Sequence, residues 1–521
     1  MRKSIFCYTV VLFCLLLVAG CSKMPEGLIK KDMDKGEEEL MDGIPPESED
    51  QVSDNETNSS DQQNISLYFW DKENNMLVYE SQNIEITDTA LPVEEIVKAL
   101  IKGPKTQDLQ PVIYRLTKIL GVEQTDDIVT IDLSKEFLKS ESLLVARTSI
   151  VNTLVERGDI EYVKITVNGR ELTVDGTPDG ETLGVLSKSS NRIDELIAAE
   201  NRQVNEDSLK EVNRELFFRD FRGNYLLPEV RPVKVKNGGI ARAIIEELIK
   251  GPVETSKGLY PVIPKGTKLL DAKLLDGGKT DMQIVALYFS KDIKVPFLNK
   301  ETSRGEKHSP EELEEESDLL KSKEAVILSS IVYSLSGLNN IEGVKIFYQN
   351  DYNNYIDMPL YDKDLKKPLS EENFPNKLGK KLKIYFPDSS ASYLVPDYRA
   401  MSRENLQIAK AIIDELILGP RDDTEQIGVM PQGISSEDIK VSMDKNNIRV
   451  IIDLPGKLDG NRMGSTGALM TLYSIVNSLT DPVNTSNIKE VQFMVDGHVV
   501  NSFGNLEFSE PFIRNPAIIQ E

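Results

Sequence analysis

The apolar residues fall into the same order three times along the chain. Val93, Ile96, Val97, Leu100 and Ile101 are spaced i, i+3, i+4, i+7, i+8, and the spacing returns at Ala241, Ile244, Ile245, Leu248 and Ile249 and at Ala409, Ile412, Ile413, Leu416 and Ile417. It places one buried stripe on an amphipathic helix. Each run stops at Gly-Pro, at Gly103-Pro104, Gly251-Pro252 and Gly419-Pro420. Glycine accepts backbone angles that end a helix, and proline cannot continue one. Proline also lacks the N–H that a Schellman cap uses, so a simple αL or extended exit is expected.

The flanking patterns repeat as well. A short strand pattern precedes each helix, at 66–70, 216–218 and 383–386, and a turn-rich stretch follows it. A strand is then expected at 128–133, 284–289 and 450–454. A second helix contains 149–154, 330–335 and 474–479, and a last strand covers 163–167, 344–348 and 491–495. The period of roughly 150 residues is far longer than the 20–50 of solenoid repeats, so the copies are domains in tandem. Strands alternating with helices in one unit indicate an α+β fold, two helices covering one face of a small mixed sheet.

The pattern lapses at the expected boundaries. Domain 1 spans 65–180, domain 2 spans 213–354 and domain 3 spans 381–515, with polar linkers at about 175–212 and 355–380. Domain 2 carries a polar insertion, 297–317, with the acidic run Glu311-Glu312-Leu313-Glu314-Glu315-Glu316, expected as an exposed excursion between strand and helix.

Composition narrows the function. Forty per cent hydrophobic and 28% charged residues are ordinary for a globular chain. A net charge of −24 argues against nucleic acid as a partner, because phosphate contacts need clustered Lys and Arg. All three cysteines, Cys7, Cys14 and Cys21, precede the repeats, so the repeats form neither disulfides nor thiolate metal sites. Arg2 and Lys3, an apolar stretch over 5–18 and Val18-Ala19-Gly20-Cys21 read as a lipoprotein signal peptide over 1–20, with Cys21 as the lipidated residue. The apolar stretch is short for a spanning helix. The mature chain is then expected on the extracytoplasmic face of the membrane, held by acyl chains worth about 0.8 kcal/mol per buried methylene. Residues 21–64 are acidic and poor in apolar side chains, as expected of a disordered tether.

Candidate chemistry is sparse. Asp132 and Asp453 end the central strand in two copies, where a carboxylate with a raised pKa could act as a general base. Copy two has Tyr288 there, and the following Ser134 and Ser290 become Pro455, so the residues read as strand-end acids meeting turn amides rather than a shared active site. His308 and His498 have no second histidine at ligand spacing, and no metal or cofactor is expected. Ser149, Ser330 and Ser474 lie inside the second helix without a glycine elbow and read as small packing residues. Asp71-Lys72-Glu73-Asn74-Asn75 lacks the glycine and terminal glutamate of a calcium loop and reads as a turn. Tyr68, Phe69 and Trp70, with Phe217, Phe218, Tyr385 and Phe386, alternate along strands, which predicts half in the core and half exposed, where they could stack a sugar or peptide.

Copy three, through Lys383-Ile384-Tyr385-Phe386-Pro387-Asp388, Tyr393-Leu394-Val395-Pro396, Gly419-Pro420, Leu472-Tyr473-Ser474-Ile475-Val476-Asn477-Ser478-Leu479 and Val491-Gln492-Phe493-Met494-Val495-Asp496-Gly497, resembles the GerMN-domain family of sporulation and spore-germination lipoproteins. Copy two is similar through Leu226-Leu227-Pro228-Glu229 and the stretch 260–267. The resemblance implies a fold of the ring-building-motif kind, two helices on a three-stranded sheet. It also implies a non-enzymatic scaffold or assembly factor whose partners are sporulation-complex proteins of the envelope or further copies of itself. A binding lipoprotein for a solute or cell-wall glycan is the alternative, and it requires a formed pocket between domains with convergent polar groups.

Overall fold

The computed structural model describes residues 61–520 apart from 87–91, 179, 203–209, 237–238, 280, 295–309, 351–353, 358–366, 406, 422–423, 432, 458–459, 486, 501 and 504–505. The signal peptide, Cys21, His308 and most of the tether lie outside the described residues.

Copy one opens with a hairpin, β1 (Asp61–Asp71) and β2 (Met76–Ile86), followed by α1 (Pro92–Lys102). Next come β3 (Ile119–Thr125), β4 (Ile128–Leu133), α2 (Leu143–Val155), β5 (Tyr162–Val167), the two-residue strands β6 (Arg170–Glu171) and β7 (Val185–Leu186), and α3 (Ile193–Arg202). Copy two runs β8 (Lys210–Arg219), β9 (Leu226–Val235), α4 (Ile240–Lys250), β10 (Leu269–Asp276), β11 (Gln283–Phe289), α5 (Pro310–Ser336), β12 (Ile341–Gln349) and β13 (Tyr355–Asp357). Copy three runs β14 (Gly379–Pro387), β15 (Leu394–Ser402), α6 (Ile408–Leu418), β16 (Lys440–Met443), β17 (Arg449–Leu454), α7 (Gly460–Leu479), β18 (Glu490–Val495) and the short strands β19 (Ser502–Phe503), β20 (Leu506–Glu507) and β21 (Phe512–Ile513). Gly464, at φ 69°, breaks α7 near its start.

Each copy holds two main sheets, and copy three adds the two-stranded ribbon β19-β20. The hairpin is one main sheet. The other is mixed: β3 pairs antiparallel with β4 and β4 parallel with β5, and the order repeats as β10-β11-β12 and β16-β17-β18. The parallel step is the crossover through α2, α5 or α7, which packs on the sheet it leaves. One large buried cluster in each copy fills the space between helices and sheets, a smaller one of Tyr385, Leu394 and Met470 lies in copy three, and Ala400 of copy three joins the cluster of copy two.

The fold class expected from the sequence is the one observed, and several details differ. The return strands β2, β9 and β15 and the edge strands β3, β10 and β16 gave no clear pattern: β9 carries Pro228 and Pro232, tolerable only at an edge, and β3 and β10 are largely solvent-exposed. The stretches expected as linkers belong to the copies. β7 returns to pair with β5, Leu369 with Val344 of β12 and β21 with β18, at the same place each time, while Ile193 and Leu196 of α3 enter the core of copy one. Of the expected insertion, 297–309 lie outside the described residues, and the acidic run 311–316 is not a loop but the first turns of α5, which begins at Pro310. The hairpin aromatics are not half exposed either. Tyr68, Phe69, Phe217, Phe218, Tyr385 and Phe386 are buried and Trp70 is half-buried, because the first hairpin strand packs against both helices of its copy.

Candidate functional site

Three sets of polar side chains recur in the copies: two join the hairpin to a helix and the third holds the returning tail. The first set lies on the second helix. The Ser149 hydroxyl donates to the Tyr68 carbonyl (2.6 Å), and the Thr153 oxygen accepts the Tyr68 N–H (3.0 Å). Ser330 and Ser334 treat Phe217 in the same way (2.6 and 3.1 Å), and Ser478 accepts the Tyr385 N–H (2.9 Å). Residues i and i+4 share a helix face, so one face supplies the donor and acceptor that a neighbouring strand would have offered. The helix thereby closes an edge of the hairpin. Ser474, the matching residue of copy three, has a buried hydroxyl without a partner.

The second set explains the threefold Gly-Pro. Glu80 of β2 accepts the N–H groups of Lys105 (3.0 Å) and Thr106 (2.7 Å), just past Pro104. Glu229 accepts those of Val253 and Glu254 (2.9 and 2.8 Å), and Asp397 accepts that of Arg421 (3.4 Å). Two residues on, Gln82, Arg231 and Arg399 donate to the carbonyls of Gly103 (3.5 Å), Gly251 (2.9 Å) and Gly419 (2.8 Å). The backbone that a helix end leaves unpaired is thus taken up by one hairpin strand. The exit is an extended one in the region reserved for glycine, with Gly251 at φ 82°, ψ 176° and Gly419 at φ 82°, ψ 178°. Burial pushes the Glu80 carboxyl up, and the Thr106, Lys105 and Gln82 hydrogen bonds outweigh it, leaving the group at about 2. The sequence signal for this set was present: an acid followed two places later by a long donor, at nearly constant distance before each Gly-Pro.

The third set pins the returning tail. Asn152 donates to the Ser189 carbonyl (3.0 Å) and accepts its N–H (3.1 Å), and Asn477 does the same for Asn515 (3.0 and 2.8 Å). In copy two the Tyr333 hydroxyl donates to the Phe374 carbonyl (3.0 Å).

The residues singled out from the sequence fall into place around these sets without converging. Asp132 accepts the Gly169 N–H and the Thr166 hydroxyl, both at 2.8 Å, and Asp453 accepts the Gly497 N–H at 2.8 Å, so both are strand-end acids holding turns. His498 closes the turn after β18, paired through its backbone with Val495. Asp71 accepts from Asn74 in the β1–β2 turn, and that side-chain bond holds its carboxyl below the usual range. Among the described residues no group of three His, Cys, Asp or Glu could hold a metal ion, and no helix is long and apolar enough to cross a membrane.

The copies meet through buried charge. Both carboxylate oxygens of Glu171 in copy one accept from a single guanidinium nitrogen, Nη1 of Arg214 in copy two (2.8 Å each), Glu171 also accepts the Gly184 N–H, and Lys164 pairs with Glu215 (2.8 Å). Between copies two and three, Arg222 makes a bidentate pair with Glu415 (2.7 and 2.8 Å), Phe221 lies under the Arg399 guanidinium, and Arg421 donates to the Tyr260 hydroxyl (2.6 Å). Copies one and three touch through Lys381–Asp126 (3.5 Å) and Arg403–Glu123 (2.8 Å). A cleft of about 600 Å³ opens where the three meet, with Lys164, Arg214, Glu215, Asn339 and Arg403 in its walls. Among the described residues no strand pairs with the opposite edge of each mixed sheet, which carries exposed apolar side chains: Leu120 on β3, Leu270, Leu274 and Leu275 on β10, and Met443 on β16.

A tandem α+β protein whose repeated polar groups hold its own backbone is the class that fold and geometry define. The chain matches the Germane family, described as sporulation and spore germination, over residues 66–173, 215–350 and 383–501, and it belongs to that family. It is similar to the tandem GerMN domains of the sporulation protein GerM from Bacillus subtilis, 21% identical over 59% of this chain and 100% of that one, with a TM-score of 0.21. It is also similar to a candidate lipoprotein from Clostridium perfringens, 25% identical over 24% of this chain and 88% of that one, with a TM-score of 0.17. The first GerMN domain of the Bacillus subtilis protein is 21% identical over 25% of this chain and 96% of that one, with a TM-score of 0.19. No curated protein matches.

Proposed function

We propose that the chain is a non-enzymatic scaffold or assembly factor of an envelope complex in sporulation and spore germination, held on the extracytoplasmic face of the membrane by lipid on Cys21. The observation that carries this reading is the division of its polar groups. The recurring Ser, Glu and Asn side chains hold backbone, the buried charges join the copies, and what faces solvent in copies two and three, and at the Leu120 end of β3 in copy one, is a strand edge with apolar side chains. Unpaired edges are the surfaces on which another chain adds a strand. Tandem copies on one tether raise avidity through effective concentration, without new contacts. The test is solution mass against concentration, together with crosslinking in cells. Parent chain should assemble or capture sporulation-complex proteins, and Leu274→Lys with Leu275→Lys should abolish it. A strict monomer that captures nothing in cells would sink the reading. Loss of fatty-acid label and release from the membrane in Cys21→Ala would support the anchor.

The alternative, capture of a solute or cell-wall glycan, has the volume of the inter-copy cleft in its favour. Against it, the charges in the cleft walls are spent on one another, Lys164 on Glu215 and Arg214 on Glu171. Saturable binding of a peptidoglycan fragment that is lost in Lys164→Ala would reverse this preference.

A further inference from the structure

Arg147 is a buried charge that the fold does not require. It stands two residues before Ser149 on α2, and the positions two before Ser330 and Ser474 are Leu328 and Leu472, both fully buried. A buried ion pair is on balance no more stabilising than an apolar side chain of similar volume, so exchanging leucine for arginine gains copy one nothing in stability. Arg147 is 6% exposed, donates to the Val174 carbonyl (3.4 Å) and pairs with Glu200 of α3. Where copy one has α3, copies two and three have only the three-residue turns Glu371–Asn373 and Pro516–Ile518. The partner carboxylate is thus an addition peculiar to copy one. Its side chain is 27% exposed, against 2% for Glu171 in the Arg214 junction, so water and solutes reach it.

A cavity of about 310 Å³ lies beside this pair, under α3 and against β8. At the ~30 Å³ that each water occupies in the liquid it has room for about ten, the size of an amino acid or a dipeptide. Its walls are of two kinds. Leu144, Val151 and Leu183 are apolar, while Thr148, Ser187 and Asn213 offer hydroxyls and an amide. A cavity whose walls are about equally polar and apolar, with one buried guanidinium, suits an amphiphilic carboxylate, since the planar fork of arginine matches a carboxylate's two oxygens.

We infer that this cavity binds the free carboxylate end of a short peptide on Arg147, and that Glu200 holds the carboxylate's place when no ligand is present. Binding moves Glu200 into water and leaves α3 above the ligand. The site is separate from the strand edges, so it stands or falls independently of the scaffold reading.

The test is calorimetric titration of the full chain in detergent with N-acetyl-alanyl-alanine and with its C-terminal amide. The parent should bind the acid at least tenfold more tightly than the amide. Glu200→Ala removes the internal competitor and should bind the acid severalfold more tightly still, with a larger rise in Tm on adding ligand. Arg147→Leu, which installs the residue of the sibling copies, should lose binding while keeping its unfolding transition. Arg147→Lys keeps the charge without the fork and should weaken binding at least tenfold, which serves if the leucine variant folds poorly. No saturable binding to Glu200→Ala, or equal binding of acid and amide, overturns the inference. Unchanged affinity in Glu200→Ala overturns the role of Glu200.

Discussion

At the scale of single residues the protein repeats solutions more faithfully than side chains. Glu80, Glu229 and Asp397 do one job, as do Gln82, Arg231 and Arg399. Because Glu80 is held at about 2 in the folded chain against an ordinary 4.5, it contributes stability that is fully present above pH 4.5 and is lost as the pH falls through 2. In Glu80→Gln the Tm difference from the parent should therefore be largest near neutrality and should vanish towards pH 2. The serines make a sharper comparison. Ser330→Ala leaves the buried Phe217 carbonyl without its donor and should cost about 1–3 kcal/mol in denaturant unfolding. Ser474→Ala removes a hydroxyl that bonds nothing and should stay within about 0.5 kcal/mol. The sequence placed these serines inside the helix correctly. It could not show that they hold a strand some 80 to 115 residues away, because helix periodicity reports which face is buried and not what lies against it.

At the scale of elements, the stop is the best-determined feature. Gly419 has φ 82°, and a Cβ built on it would meet nothing within 4 Å, so Gly419→Ala isolates the backbone cost. It should destabilise copy three by about 1–3 kcal/mol, read as a shift in its unfolding midpoint. Strands at the centre of the mixed sheets were legible because at least one face is buried along their whole length: β11 is apolar throughout Ile284, Val285, Ala286 and Leu287, while β4 and β17 alternate buried and half-buried positions. Edge strands were not. β10 reads Leu-Leu-Asp-Ala-Lys-Leu-Leu-Asp, without clean alternation, since nothing covers its outer side and no face imposes a pattern.

At the scale of the whole molecule, the junctions make three copies into one body. Arg222 and Glu415 form a bidentate pair across copies two and three, with Glu415 nearly buried. A double-mutant cycle of Arg222→Ala and Glu415→Ala should return a coupling of about 1–3 kcal/mol, and Arg222→Ala should separate the unfolding of copy three from that of copy two in calorimetry. No sequence pattern announces such a pair, for its members are 193 residues apart and each resembles an ordinary surface charge. By itself, then, the sequence determined the number of copies, the α+β order within each, the two helices that recur in every copy, where the first of them stops, and the central strands, since all of these follow from the period of burial along a local stretch. Tertiary structure alone decided which acid meets which amide, that the supposed linkers fold back as strands, and how the copies share charge. Those are closures between distant segments, and a chain records them only as single polar residues whose partners are chosen when the backbone has already turned back on itself.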